Sequence, residues 1–119
     1  MSVKTVKVLD INRSYIFTSI DDGNMLYDVL VKHIMNKDQV IIDFKGIEKV
    51  TAGAVEYSIG KLFVKFDKKE LEHIEFRNVP GYANSMIADE IKASIKKRTE
   101  YKKYIKEHPE SKDWLDPLK

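Results

Sequence analysis

The sequence predicts an α/β domain: a mixed, mostly parallel sheet of about four strands with helices packed mainly on one face. Three observations carry this prediction. Val40-Ile41-Ile42 is a short β-branched run ended by Asp43 and Gly46, which reads as a central strand covered on both faces. Directly after it, Ala52, Val55, Ile59, Leu62, Phe63 and Phe66 fall on one stripe at helical spacing, a face that packs onto a sheet. The element order along the chain is strand, strand, helix, strand, helix, strand, helix, and that alternation favours parallel crossovers.

Each element has its own local signal. Val3 to Leu9 and Tyr15 to Ile20 are rich in β-formers, with a turn at Asn12 and Arg13, and read as an opening hairpin. Asp21-Asp22-Gly23-Asn24 reads as a turn. A helix from Met25 to Met35 follows, since Leu26, Val29, Leu30, His33 and Ile34 share a face and Asp22 or Asn24 can cap it. After the central strand, Ile47 and Val50 pin the connection to the core, and the Thr51 hydroxyl is placed to cap the next helix. Leu71 to Val79 alternates as a strand, and Pro80-Gly81 stops it. From Tyr82 the pattern is helical through Ala83, Ile87, Ile91 and Ile95 and continues until Pro109.

Length and composition bound the function. A chain of 119 residues, 43% hydrophobic and 34% charged, is one globular domain. Its net charge of +2 forces neither a nucleic-acid nor a membrane partner. With no cysteine there is no disulfide, thiolate metal site or cysteine nucleophile. The start MSVKTVKVLD has no apolar signal region, and no run approaches the ~18 apolar residues of a membrane span, so a cytoplasmic location is expected.

The helix after the central strand carries a second stripe. Gly53, Tyr57, Gly60 and Val64, with Lys61 beside them, lie roughly 150° from the core stripe. Each glycine costs about 1 kcal/mol against alanine in a helix interior, so close approach of another backbone is implied. Either a neighbouring helix of the same domain covers this stripe or it is a docking face for a partner.

The segment VIIDFKGIEKVTAGAVEYSIGKLF, and FRNV leading into a helix with Ile87 and Ile91, resemble the STAS-like domains of bacteria, small relatives of the anti-sigma-factor antagonists. The resemblance spans Met25 to Lys97. It implies a STAS-like domain over residues 1–97 and a basic helical extension with a proline-punctuated tail over 98–119. In anti-sigma-factor antagonists, the turn before this helix carries a serine or threonine phosphorylated by a partner kinase, and the helix docks on that kinase. Thr51, Ala52 and Gly53 occupy that turn here. Thr51 is its one hydroxyl, Ala52 stands where the phosphoacceptor is expected, and Val50 where an acidic residue is usual. What the resemblance implies is a non-catalytic, cofactor-free regulatory module that docks a protein, a kinase-like ATPase, through Thr51, Gly53, Tyr57, Gly60, Lys61 and Val64.

Other chemistry is weighed against its structural alternative. His33, His73 and His108 lie on separate elements with no metal-ligand spacing, so no metal site is expected. Asp43 ends a buried strand, where a carboxylate either faces a ligand crevice or accepts backbone hydrogen bonds in the turn to Gly46. A hydrolase or transferase would need Asp43, Thr51 and Arg77 or Asn78 to converge at one crevice. Thr51 with adjacent Gly53 also has the form of a phosphate site at a helix start. Lys96, Lys97, Arg98, Lys102, Lys103 and Lys106, interleaved with Tyr101 and Tyr104, suit a nucleic-acid contact as an alternative function, or else form a solvated helix face. Tyr101, Tyr104, Ile105, Trp114, Leu115 and Leu118 either fold back over the chain or pack on a second copy, and a homodimer through this extension is expected.

Overall fold

The computed structural model describes residues 2–119. In chain order the first elements are β1 (Val3–Lys7), α1 (Val8–Asn12), β2 (Ile16–Phe17), α2 (Ile20–Met35), β3 (Gln39–Asp43) and β4 (Lys49–Val50). A continuous helix over 52–65 follows, made of α3 (Ala52–Val55), a π-turn (Glu56–Gly60) and α4 (Lys61–Lys65). Then come β5 (Ile74–Arg77) and α5 (Ala83–Glu107), with short 3-10 turns at Lys68–Leu71 and Pro109–Leu115.

The central strand lies where the β-branched run placed it. β3 is the middle of a three-stranded sheet, with β1 and β5 parallel on either side. Val6, Ile42 and Phe76 are register partners, as are Val40 and Ile74, and all five contribute to the helix-covered core. Ile41 belongs to the opposite face, between Thr5 and Glu75 in the register; both of these are exposed, yet Ile41 is buried. The helices thus cover one face of the sheet. The middle residue of the run is therefore buried on the face that lacks the helix-covered core.

The expected opening hairpin is not formed. β1 pairs with β3, the chain turns through α1, and β2 forms a separate two-stranded parallel sheet with β4. Val8 is fully buried, and Arg13 closes α1 in a left-handed conformation. Every ladder among the described residues is parallel. The Tyr82 hydroxyl accepts from the Val50 N–H at 2.7 Å and donates to the Glu48 carbonyl at 3.0 Å, which satisfies backbone groups along β4.

Helix α2 begins five residues earlier than Met25. Ser19 and Asp22 form a reciprocal capping box: the Asp22 N–H donates to Ser19 Oγ at 3.0 Å, and the Ser19 N–H to Asp22 Oδ2 at 3.1 Å. The Asp-Asp-Gly-Asn turn is therefore the first turn of the helix. Gly23 is tolerated there because α2 crosses the 52–65 helix at that point. A Cβ on Gly23 would stand 2.6 Å from the Ala54 carbonyl oxygen and 3.0 Å from Tyr57 Cβ.

The 52–65 helix is enclosed from two sides. α2 covers it at Gly23, and α5 covers it at Gly60, where an added Cβ would meet Glu90 Oε1 at 2.6 Å and Ser94 Oγ at 3.1 Å. Burial accordingly extends beyond the expected stripe to Ala54, Ser58 and Gly60, while Ala52 is exposed. The π-turn accompanies this double burial. The Lys61 N–H reaches the Glu56 carbonyl five residues back, and the buried Ser58 hydroxyl donates to the Ala54 carbonyl at 2.7 Å. Thr51 does not cap the helix with its side chain; its hydroxyl donates to the Thr18 carbonyl at 2.8 Å, tying the helix start to the segment after β2.

β5 is shorter than expected, because Leu71 lies in a 3-10 turn and Asn78 adopts a left-handed conformation just after Arg77. α5 passes residue 97 unbroken and ends before Pro109. Residues 109–119 then fold back along α5, α4 and α2. Trp114 stacks on Tyr104 at 5.0 Å and meets Tyr101 edge-on at 5.4 Å. The aromatic groups from which a contact between two copies was expected are thus engaged within one chain. No helix among the described residues is long and apolar enough to cross a membrane.

The glycine contacts predict opposite effects of one methyl group. Gly23→Ala should lower stability by about 1–3 kcal/mol, the range for overpacking a filled interior. Gly53, with nothing within 4 Å of an added Cβ, should gain about 0.4–1 kcal/mol as Ala, through the restricted unfolded chain. Urea denaturation of both variants against the parent checks the two signs.

Candidate functional site

The residues expected on the docking face separate into two groups. Gly60 belongs to the contact with α5 and is buried. Val64 is half-buried, and its carbonyl accepts from Arg98 Nη1 at 2.8 Å. Lys61 lies over the Tyr27 ring, its Nζ 4.3 Å from the centroid. Gly53 and Tyr57 remain open: Gly53 faces unoccupied space, and Tyr57 is 39% exposed. The stripe counted from the sequence is thus half internal, because α5 lies across its lower part.

A groove of about 730 Å³ runs alongside, between the π-turn, α4, α5 and the tail. Tyr57, Gly60 and Lys61 line one wall, Glu90 and Lys97 the other, and Trp114 stands at one end. The volume is within the range of small-ligand clefts. Its charge is mixed. Burial, then the negative charge of Glu56, raises the Glu90 carboxyl above its ordinary value. Burial, then the charge of Lys61, lowers the Lys65 ammonium. Burial, with the charges of Asp28 and Asp116, pushes the Tyr27 phenol up to about 12, so at neutral pH it is a hydroxyl donor.

The basic run is largely solvated. Lys96, Lys97, Lys103 and Lys106 are exposed. Arg98 Nε pairs with Asp67 Oδ1 at 2.9 Å, and Lys102 Nζ approaches the same oxygen at 3.5 Å. Arg98 and Lys102 hold the Asp67 carboxyl below its usual range, the Arg98 hydrogen bond most of all. Tyr101 and Tyr104 spend their rings on Trp114, and Tyr104 also stacks on His108 at 4.0 Å. Charge and aromatic stacking, expected to act together on a nucleic acid, are not offered to the same surface.

Asp43 behaves as a turn carboxylate. Its Oδ1 accepts from Asn78 Nδ2 at 2.8 Å and the Lys45 N–H at 2.9 Å, in that order the causes that lower its pKa. Arg77, its register partner, turns to Glu75 at 3.1 Å, and Thr51 is bonded to Thr18. Asp43 and Asn78 therefore meet, but among the described residues no hydrogen bond brings Thr51 or Arg77 to them. The histidines are apart: His33 Nδ1 lies 3.1 Å from Asp38 Oδ2, His73 Nε2 lies 4.0 Å from Glu72 Oε1, and His108 stacks on Tyr104. No cluster of three or more metal-ligating side chains occurs among the described residues.

Glu90 and Ser94, one turn apart on α5, line the groove but are not singled out by the sequence. Gly23 reads from the sequence as part of the Asp-Asp-Gly-Asn turn, and in the structure it lies at the crossing of α2 and the 52–65 helix.

Glu90 yields a pH-dependent prediction. A carboxyl whose pKa is raised by folding favours the folded state below its unfolded pKa, and that advantage is lost as pH rises through the raised value. Glu90→Gln should therefore melt higher than the parent at pH 7, and the gap should close below pH 4.5, the ordinary value for the group. Thermal melts across that window test it.

The family described as a STAS-like domain of unknown function (DUF4325) matches residues 22–84, from the first turn of α2 to the start of α5. No curated protein and no solved structure matches the chain.

Proposed function

This chain belongs to the STAS-like domain family, and on that premise we propose that it is a non-catalytic regulatory module that docks a partner protein through the N-terminal half of the 52–65 helix. One observation carries the reading. Internal packing accounts for Gly23 and Gly60, whose added Cβ atoms would collide with neighbours, but leaves Gly53 facing open space. A glycine near a helix start that costs stability and serves no contact within the chain suits close approach of another molecule. Tyr57, one turn on and 39% exposed, supplies an aromatic anchor of the type enriched at interface centres. The partner class, a kinase-like ATPase, follows from the resemblance to anti-sigma-factor antagonists.

Thr51 is better read as a structural residue of this surface than as its phosphoacceptor, since its hydroxyl is given to the Thr18 carbonyl. Nucleic-acid binding by the basic helix is the weaker reading, because Tyr101 and Tyr104 are committed to Trp114.

The test is affinity capture from native lysate with the parent and Gly53→Arg as baits, read by quantitative mass spectrometry. The reading requires a specific captured protein that is reduced at least about tenfold, the loss expected at an interface hot spot. The variant's melting temperature should stay within a few degrees, as surface changes usually allow. Equal capture by both baits would exclude this face.

A further inference from the structure

The tail is anchored by groups that recognise a peptide backbone and one flat ring. Lys65 Nζ donates to the Trp114 carbonyl at 2.6 Å and to the Lys119 backbone oxygen at 3.2 Å. The Tyr27 hydroxyl donates to the Pro117 carbonyl at 2.8 Å. Tyr104 lies parallel to the Trp114 ring, their planes 7° apart, and Tyr101 meets its edge. Three main-chain acceptors and one aromatic ring make a specification that another segment can meet, because only the ring demands a particular side-chain type.

The tail is also held shallowly. No residue of Pro109–Leu115 is buried, Trp114 is 45% exposed and Leu118 is 73% exposed. The Lys65 hydrogen bonds are exposed to solvent. Segments with few buried apolar contacts and exposed hydrogen bonds open locally while the core stays folded. Beneath the tail, Tyr27 belongs to α2, where Lys61 also lies over its ring, and Lys65 to the last turn of α4.

The seat is continuous with the docking face. Trp114 and Lys65 line the same groove as Tyr57, Glu56 and Gly60. A molecule seated on Tyr57 and extending along the groove reaches Lys65, where the tail is bound. We propose that the surface formed by Tyr27, Lys65, Tyr101 and Tyr104 is a recognition seat for an aromatic-bearing peptide segment of a partner protein, occupied in the free chain by residues 109–119 as an intramolecular competitor. The inference rests on the docking reading, since it places the partner's second contact at the far end of the same groove. The bound tail keeps the seat closed to weak or incidental peptides, and a partner anchored at Tyr57 displaces it.

The test uses the full chain and the tail itself as probe. A fluorescein-labelled synthetic peptide of residues 108–119 is titrated against the parent, Trp114→Ala, and Trp114→Ala combined with Lys65→Met, with anisotropy as the readout. Trp114→Ala weakens the resident tail while leaving the seat intact, so the peptide should bind this variant at least about tenfold more tightly than the parent, whose tethered tail competes at millimolar effective concentration. Adding Lys65→Met should abolish the gain. Equal binding to parent and Trp114→Ala, binding insensitive to Lys65→Met, or no binding up to about 1 mM peptide, the scale of that effective concentration, each overturns the proposal. The measurement involves no partner protein, so its failure leaves the docking reading to be decided by the Gly53→Arg capture.

Discussion

The structure depends on how closely the 52–65 helix is approached from both sides. α2 meets it through Gly23 and α5 meets it at Gly60, and at both points an added Cβ would stand 2.6 Å from an oxygen. These contacts allow Leu26 and Leu30 on α2, and Ile59 and Leu62 on the central helix, to be fully buried. Each such side chain contributes about 1.5–3 kcal/mol on burial, which outweighs the cost of about 1 kcal/mol for a helix-interior glycine. Val55, Ile59 and Leu62 of this helix belong to the same buried cluster as Val40 and Ile42 of β3, and α2 packs against both this helix and the sheet.

Much of this was legible because it is local. Val40 to Ile42, the turn at Asp43 and Gly46, and the stripe from Val55 to Phe66 are set by short-range pattern and turn chemistry. The partners of β1 and β2 were not legible, since parallel pairing joins segments separated by a whole crossover and leaves no mark on either strand. Val3 to Leu9 followed by a polar turn has the same local appearance whether the next strand pairs beside it or elsewhere. The start of α2 was misread for a different reason. Asp21-Asp22-Gly23-Asn24 has turn composition, and only the Ser19 to Asp22 capping box, together with the close contact at Gly23, makes it helical.

The candidate site was legible in part. The spacing of Gly53, Tyr57, Gly60 and Val64 located the second face of the central helix, but it held no information about α5, which covers Gly60 and leaves Gly53 open. The π-turn also shifts the positions around Ser58 in a way that a uniform helical count cannot anticipate. The tail depends on contacts between residues far apart in sequence, such as Tyr27 with Pro117 and Lys65 with Trp114. Its aromatic residues announced a contact without saying whether the surface belonged to the same chain. What remains exposed after folding is thus a better guide to function than the apolar stripe itself.

If the doubly enclosed central helix organises the domain, its backbone should be among the last to open. Native-state hydrogen exchange measured residue by residue tests this most directly. The amides of Ile59 to Phe63 and of Val40 to Ile42 should exchange only through global unfolding, with opening free energies equal to the whole stability of the domain, while amides of residues 110–119 exchange through local opening well below that. Exchange of the 59–63 amides through a low-energy local opening, comparable to the tail, would contradict the account.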